Sequence, residues 1–99
     1  MTWEEKLMAC EALGPKCQLI ARKPGDWYVS QSGVSIRAKY TTTSASGNGA
    51  TPEAAVEDHF KILTALLRPQ CVEVNYSGKM RRVIWNGFMW ADAPEDPKA

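Results

Sequence analysis

The chain has 99 residues, 44% of them hydrophobic and 23% charged, and its net charge is +1. This length suits one domain with a single core, and this composition excludes a chain that is disordered throughout. No stretch approaches the roughly 18 apolar residues of a membrane-spanning helix, and no apolar signal segment follows Met1. We therefore expect a cytoplasmic location and no membrane partner. Cys10, Cys17 and Cys71 are expected as reduced thiols, with a Cys10–Cys17 or Cys17–Cys71 bridge as the alternative.

The first predicted element is a helix over Trp3–Leu13. Thr2 suits the N-cap position, and Glu5, three residues later, completes a capping box. The Gly14-Pro15 dipeptide ends the helix, because glycine favours the left-handed C-cap and proline cannot continue a helix.

Two strands and two turns are predicted next. The strands Cys17–Lys23 and Trp27–Ser30 flank a Pro24-Gly25-Asp26 turn, in which proline presets φ and glycine accepts a positive φ. The segment Gln31-Ser32-Gly33 is predicted as a second turn, which leads into a third strand.

The third strand, Val34–Tyr40, shows the clearest alternation of apolar and polar residues in the sequence. Its apolar side chains would face the core, while Arg37 and Lys39 would point to solvent. The sheet is therefore expected to have one buried face and one wet, basic face. The small polar residues of Thr42–Ala50 are typical of a loop, and we expect this segment to be mobile.

A second helix is predicted to begin at Thr51-Pro52-Glu53, where an N-cap, a proline at the first helical position and an acidic residue follow one another. It would end at Arg68-Pro69. The single histidine, His59, lies between apolar positions and is expected to be structural or partly exposed. The apolar face comprises Ala55, Val56, His59, Phe60, Leu63, Leu66 and Leu67.

The final segment is predicted to hold two or three strands. In Cys71–Tyr76 the alternation places Glu73 on the outside. A strand over Arg81–Trp85 is followed by Asn86-Gly87, a strong signal for a two-residue hairpin turn, with Phe88-Met89-Trp90 as the returning strand.

These elements follow one another as α-β-β-β-α-β-β(-β), which predicts an α+β fold with an antiparallel sheet and two helices packed on one face. Residues 1–91 are expected to form a single domain. Residues 92–99, in which prolines alternate with acidic residues, are expected to form a disordered acidic tail.

No residues combine into a catalytic or metal-binding motif. One histidine and three scattered cysteines lack the partners and spacings that such sites need, so we expect no enzyme activity, no metal and no cofactor. The Gly47-Asn48-Gly49 segment before the second helix lacks the Lys-Ser/Thr pair of a phosphate-binding loop, and we interpret it as a flexible connector.

Basic and aromatic residues provide the candidate binding positions. Cationic groups beside aromatic rings are found in proteins that bind single-stranded nucleic acid, although a solvated sheet face would look the same. The Phe88-Met89-Trp90 run must expose at least one apolar side chain unless something covers it. The candidate residues are Arg22, Arg37, Lys39, Arg81, Arg82, Phe88 and Trp90.

Three stretches of the sequence resemble small uncharacterised proteins encoded by tailed bacteriophages and prophages. They are Gln18–Ser30 (QLIARKPGDWYVS), Gly47–Asp58 (GNGATPEAAVED) and Arg81–Trp90 (RRVIWNGFMW). The resemblance covers about a third of the chain and implies a phage-derived protein in the bacterial cytoplasm. It implies no particular chemistry.

The function expected from these features is that of a non-enzymatic phage or prophage accessory protein that binds a host or phage protein. The alternative is a nucleic-acid-binding module that uses the basic sheet face. A protein partner is favoured because acidic residues in the helices and the tail would weaken any long-range attraction to nucleic acid.

Overall fold

A computed structural model of the protein describes residues 1–14, 17–37, 42–66, 70–76 and 78–93. These residues form two helices and a six-stranded sheet, which confirms the predicted α+β class and element order. The elements are α1 (Trp3–Glu11), β1 (Cys17–Lys23), β2 (Asp26–Arg37), β3 (Thr42–Gly49), α2 (Pro52–Thr64), β4 (Cys71–Tyr76), β5 (Lys79–Trp85) and β6 (Trp90–Asp92).

The sheet is organised around β2, its longest strand, and every strand pair is antiparallel. Along one side of β2, its first half pairs with β1 and its second half pairs with β4. The other side of β2 pairs with β3, and β5 and β6 extend the sheet beyond β4. Both helices pack on one face, here called the inner face, and the opposite face is called the outer face.

The core lies between the inner face and the two helices. Valines at alternate positions of the strands supply the sheet side of the core, as the period of two requires. The helices supply Cys10 and Leu13 from α1 and the turn after it, and Phe60 and Leu63 from α2. The buried valines of the sheet are Val29, Val34, Val72, Val74 and Val83.

Both helices begin where the sequence predicts. The Glu5 amide donates to Thr2 Oγ1 and the Thr2 amide donates to Glu5 Oε1, which confirms the capping box. Helix α1 ends at Glu11, two residues before the predicted Leu13. The reason is that the amides of Leu13 and Gly14 donate to carbonyls three residues back, which closes the helix with tighter turns.

The predicted turn at Gln31-Ser32-Gly33 is wrong, because β2 runs through it without a break. Pairing of β2 with β3 shifts between Ser30 and Ser35, so the extra residues form a bulge. Gly33 has a φ of 75°, a conformation that only glycine adopts easily. Glycine here therefore marks a bulge within a strand rather than a chain reversal.

The predicted mobile loop over Thr42–Ala50 is also wrong, since Thr42–Gly49 forms strand β3. The sequence therefore predicts the right number of strands before α2 for the wrong reason. It divides β2 into two strands and misses β3. The end of the predicted third strand, residues 38–40, lies outside the described residues.

The Gly47-Asn48-Gly49 segment is part of β3 and packs directly under α2, so its interpretation as a flexible connector is wrong. A Cβ atom on Gly49 would lie 2.5 Å from the Ala55 amide nitrogen, so only glycine allows this approach. The carboxylate of Asp58 on α2 accepts a hydrogen bond of 2.9 Å from the Asn48 amide. This bond satisfies a backbone donor at the free edge of β3.

His59 is fully buried at the junction of α2 and the sheet, as a structural histidine. Its Nε2 lies 2.8 Å from Oε1 of the buried Gln31, whose own amide nitrogen donates to the Cys10 carbonyl. These bonds connect α2, β2 and α1 through the core. Burial lowers the pKa of His59 from 6.5 to about 4, an effect that the nearby Asp58 carboxylate partly offsets.

The end of the fold extends slightly past the predicted domain boundary. Asp92, the first residue of the predicted tail, is the last residue of β6, and the Ala93 amide donates to the Arg82 carbonyl. The remaining tail, residues 94–99, lies outside the described residues, as does the predicted helix stop at Arg68-Pro69. Neither described helix is long and apolar enough to cross a membrane.

Candidate functional site

The loop between β5 and β6 displays two exposed large apolar side chains, Phe88 and Met89. It has four residues, 86–89, and not the two predicted from Asn86-Gly87, because Trp85 pairs with Trp90. Asn86 Oδ1 accepts hydrogen bonds of 2.9 Å from both the Phe88 and the Met89 amides. The loop is therefore held by its own hydrogen bonds, while the Phe88 side chain is 89% exposed.

Beneath this loop lies a groove of about 420 Å³ between the hairpin and the end of α1. Two half-buried tryptophans border it, with their rings edge to face at a centroid distance of 5.1 Å. Trp90 Nε1 donates a 2.8 Å hydrogen bond to the Ala9 carbonyl, which fixes the hairpin against α1. This surface, named here the hairpin groove, is lined chiefly by Ala9, Ala12, Leu13, Trp85, Phe88, Met89 and Trp90.

The charge beside the hairpin groove is negative on the side of α1. Glu4, Glu5 and Glu11 are exposed, and α1 has no basic residue in its last turn. The single cation of α1, Lys6, is paired with Glu57 of α2. At the opposite rim Arg81 Nε donates to Asp92 Oδ1 at 2.7 Å, so that pair is neutral overall.

The outer face contains a second arrangement, in which two arginines share one carboxylate. Glu73 on β4 points outward, as predicted, yet it is buried, because the arginines of two neighbouring strands cover it. Arg37 Nη1 on β2 donates to Glu73 Oε2 at 3.4 Å, and Arg82 Nε on β5 lies 3.6 Å from the same oxygen. Both arginine side chains are about half exposed.

A polar groove of about 710 Å³ runs along the outer face beside the arginine pair. At its far end the Arg22 guanidinium lies 4.6 Å from the centre of the Tyr28 ring and donates to Asp26 and Asn48. This surface is named the outer groove. Its lining includes Arg22, Tyr28, Ser30, Ser35, Ser44, Ser46, Asn48, Asn75 and Met80.

The candidate residues therefore divide between two surfaces. The structure brings Phe88 and Trp90 together at the hairpin groove, and it brings Arg37 and Arg82 together on the outer face. Arg81 lines the hairpin groove and not the outer face, because neighbouring residues of a strand point to opposite sides. Lys39 lies outside the described residues.

Glu73 is the residue of the outer site that the sequence does not identify. Its alternation with Val72 and Val74 is visible, but pairing with arginines on two other strands requires the strand order. Ala9, whose carbonyl anchors Trp90, is also missed, since nothing in the sequence indicates that α1 meets the hairpin.

The described residues contain no group of three histidine, cysteine or acidic side chains that could hold a metal ion. Burial raises the pKa of the Cys10 thiol to about 12 and that of Cys17 to about 11. These two thiols are therefore protonated at neutral pH and are weak nucleophiles. The chain matches no protein-family model, no curated protein and no solved structure.

Proposed function

We propose that this protein is a non-enzymatic binding protein whose hairpin groove docks an apolar segment of another protein. The observation that carries the proposal is the exposure of Phe88 on a loop held by hydrogen bonds. A phenylalanine this exposed contributes little to folding, yet its position on a hydrogen-bonded loop suits it to bury apolar area against a partner.

The size of the expected effect follows from the exposed area. Complete burial of a phenylalanine side chain contributes about 1.5 to 3 kcal/mol, and Met89 beside it adds a further apolar contact. Because Asn86 already orders the loop, the entropy lost on binding is reduced. A central aromatic of this kind is typical of residues that dominate a binding interface.

The charges around the groove define the partner more closely. The exposed acidic residues of α1 and the negative end of its helix dipole favour cations on the partner. The partner proposed is thus a protein segment with a bulky apolar anchor beside lysine or arginine. The resemblance to phage-encoded proteins supports a phage or bacterial host protein as its source, and the cytoplasm as the place of contact.

A random peptide library selected against the purified protein tests the proposal. We expect selected peptides to share a bulky apolar residue flanked by basic residues. Phe88→Ser should weaken their binding about 30-fold, which corresponds to roughly 2 kcal/mol. The matched control is Met80→Ser, which removes another exposed apolar side chain from the outer face and should leave peptide binding unchanged.

Both substitutions alter exposed positions and should change the stability by no more than about 0.5 kcal/mol. The hairpin groove is not the docking site if the selected peptides lack the apolar and basic pattern. The same conclusion follows if Phe88→Ser binds the peptides as tightly as the wild-type protein does. A dimer of the wild-type protein that Phe88→Ser dissociates would show that the occupant is a second copy of this chain instead.

A further inference from the structure

The outer face holds an ordered pair of arginines with donors to spare. Two positive groups and one negative group leave a net charge of +1 at the cluster of Arg37, Glu73 and Arg82. Each guanidinium has five N–H donors, and the structure shows a single contact of each with Glu73. Since both side chains are about half exposed, their remaining donors can reach an anion in solvent.

Strand pairing explains why these two arginines are held near each other. Glu73 pairs directly with Arg82 on β5, while Arg37 on β2 is two residues beyond the direct partner of Glu73, opposite Cys71. Because Val72 and Val74 face the core, Glu73 and its two partners all project from the outer face. The buried carboxylate thus positions both guanidinium groups before any ligand arrives. The planar fork of N–H donors on each guanidinium group matches the oxygens of a phosphate group.

The outer groove continues from the arginine pair toward a stacking surface. Ser35 pairs with Glu73, and Met80 precedes Arg82 by two residues on the same face, so the groove begins beside the pair. It ends where the Arg22 guanidinium lies over the Tyr28 ring. Arg37 lies nine positions after Tyr28 on β2, which corresponds to a distance of about 25 to 30 Å along the strand.

We propose that the outer groove binds single-stranded nucleic acid. A backbone phosphate would lie between Arg37 and Arg82, and an unpaired base would stack on the guanidinium plane of Arg22. Serine and asparagine side chains along the groove supply hydrogen bonds to the intervening sugars and bases. This site lies on the face opposite the helices, so it is independent of the hairpin groove and of the protein partner proposed for it.

The test uses a fluorescein-labelled single-stranded DNA of about ten nucleotides, titrated with the protein from roughly 20 to 200 mM salt. The variant is Arg37→Ala/Glu73→Gln/Arg82→Ala, in which Glu73→Gln avoids leaving a buried charge without its partners. Because the one backbone phosphate between Arg37 and Arg82 is then no longer neutralised, the slope of log affinity against log salt should become shallower by about 0.7.

A control that removes two cations elsewhere separates a specific site from general electrostatic attraction. Lys61→Ala/Lys79→Ala removes two exposed cations away from the outer groove, a larger change in net charge than that of the triple variant. The control should keep the wild-type slope, and so should Phe88→Ser.

Several results would overturn the proposal. One is that the wild-type protein binds no oligonucleotide at about 20 mM salt, and another is that the triple variant keeps the wild-type slope. A third is that the slope of the lysine control decreases as much as that of the triple variant. The assignment to a single strand would also be refuted if a duplex of the same sequence bound more tightly. It would be refuted equally if polyglutamate, an unrelated polyanion, displaced the oligonucleotide. If the triple variant fails to fold, shifts of the Arg37 and Arg82 side-chain NMR signals on addition of the oligonucleotide to the wild-type protein decide the question. Their absence during the oligonucleotide titration refutes the site.

Discussion

His59 should make the folded protein lose stability as the pH falls from about 6.5 to about 4. Burial lowers the pKa of the ring to about 4, whereas the unfolded chain has the ordinary value of 6.5. Between these values the unfolded state binds a proton that the folded state does not, so acid favours unfolding. The difference corresponds to roughly 3 kcal/mol, present in full above pH 6.5 and lost by about pH 4.

The contacts of the ring give the physical reason. His59 Nε2 already lies against the Gln31 side-chain oxygen, while Nδ1 is buried and has no hydrogen-bond partner within the described part of the chain. A second proton would place an N–H donor and a positive charge where neither is satisfied. The carboxylate of Asp58 on the next residue offsets this cost only in part.

Urea unfolding, followed by tryptophan fluorescence between pH 4 and pH 7.5, measures the effect. The comparison is between the wild-type protein and His59→Gln, which keeps a polar side chain but cannot titrate. The carboxylates contribute equally to both proteins, so the wild-type free energy of unfolding should fall by about 3 kcal/mol more than that of the variant. Parallel curves would refute the reasoning. Because the chain has one histidine, an NMR titration of the wild-type ring gives an independent check, and a pKa near 6.5 would refute it equally.

Two further substitutions, one of them with a matched control, test the packing of α2. Gly47→Ala should cost at least about 3 kcal/mol, because a Cβ there would overlap the α2 backbone, whereas Gly25→Ala in an open turn should cost only about 1 kcal/mol. Urea unfolding that shows the opposite order would contradict the close approach of β3 and α2. Phe60→Ala should cost about 3 to 5 kcal/mol, because its ring packs edge to face on Trp85 at 5.3 Å. A melting temperature within a few degrees of wild type would show that Phe60 is not part of the core.

The features predicted correctly depend on residues close together in the chain. The caps at Thr2 and Thr51 accept hydrogen bonds from amides three residues away, so their signals are complete within one turn of helix. The apolar stripe of α2 and the alternation of β4 likewise follow from the periods of a helix and a strand. These patterns were sufficient to predict the α+β class and both helices. The predicted order of the elements is also right, but before α2 this is because the division of β2 into two strands compensates for the missed β3.

Strand β3 shows where local patterns mislead. Its residues Thr42–Gly49 are small and polar, a composition typical of loops, and no alternation identifies an apolar face. They form a strand because β2 offers them backbone partners and because Gly47 and Gly49 let α2 approach. Gln31-Ser32-Gly33 is the opposite error, a strand segment that its sequence predicts as a turn. The residues before and after it pair with neighbouring strands, and this pairing keeps the segment within β2.

For the two candidate surfaces as well, some features follow from the sequence and others only from the tertiary structure. The amino-acid sequence determined that Arg37 points outward, because alternation within a single strand decides it. It also predicted an exposed apolar side chain in Phe88-Met89-Trp90, but from a returning strand that is wrong for Phe88 and Met89, which lie in the loop before β6. Only the tertiary structure decided that Arg82 shares the Glu73 carboxylate with Arg37, and that Trp90 bonds to α1. Arg37 and Glu73 are 36 positions apart, and Ala9 and Trp90 are 81 apart. Contacts at such separations depend on the order and register of the strands, and these are set by the packing of the whole core rather than by any local run of residues.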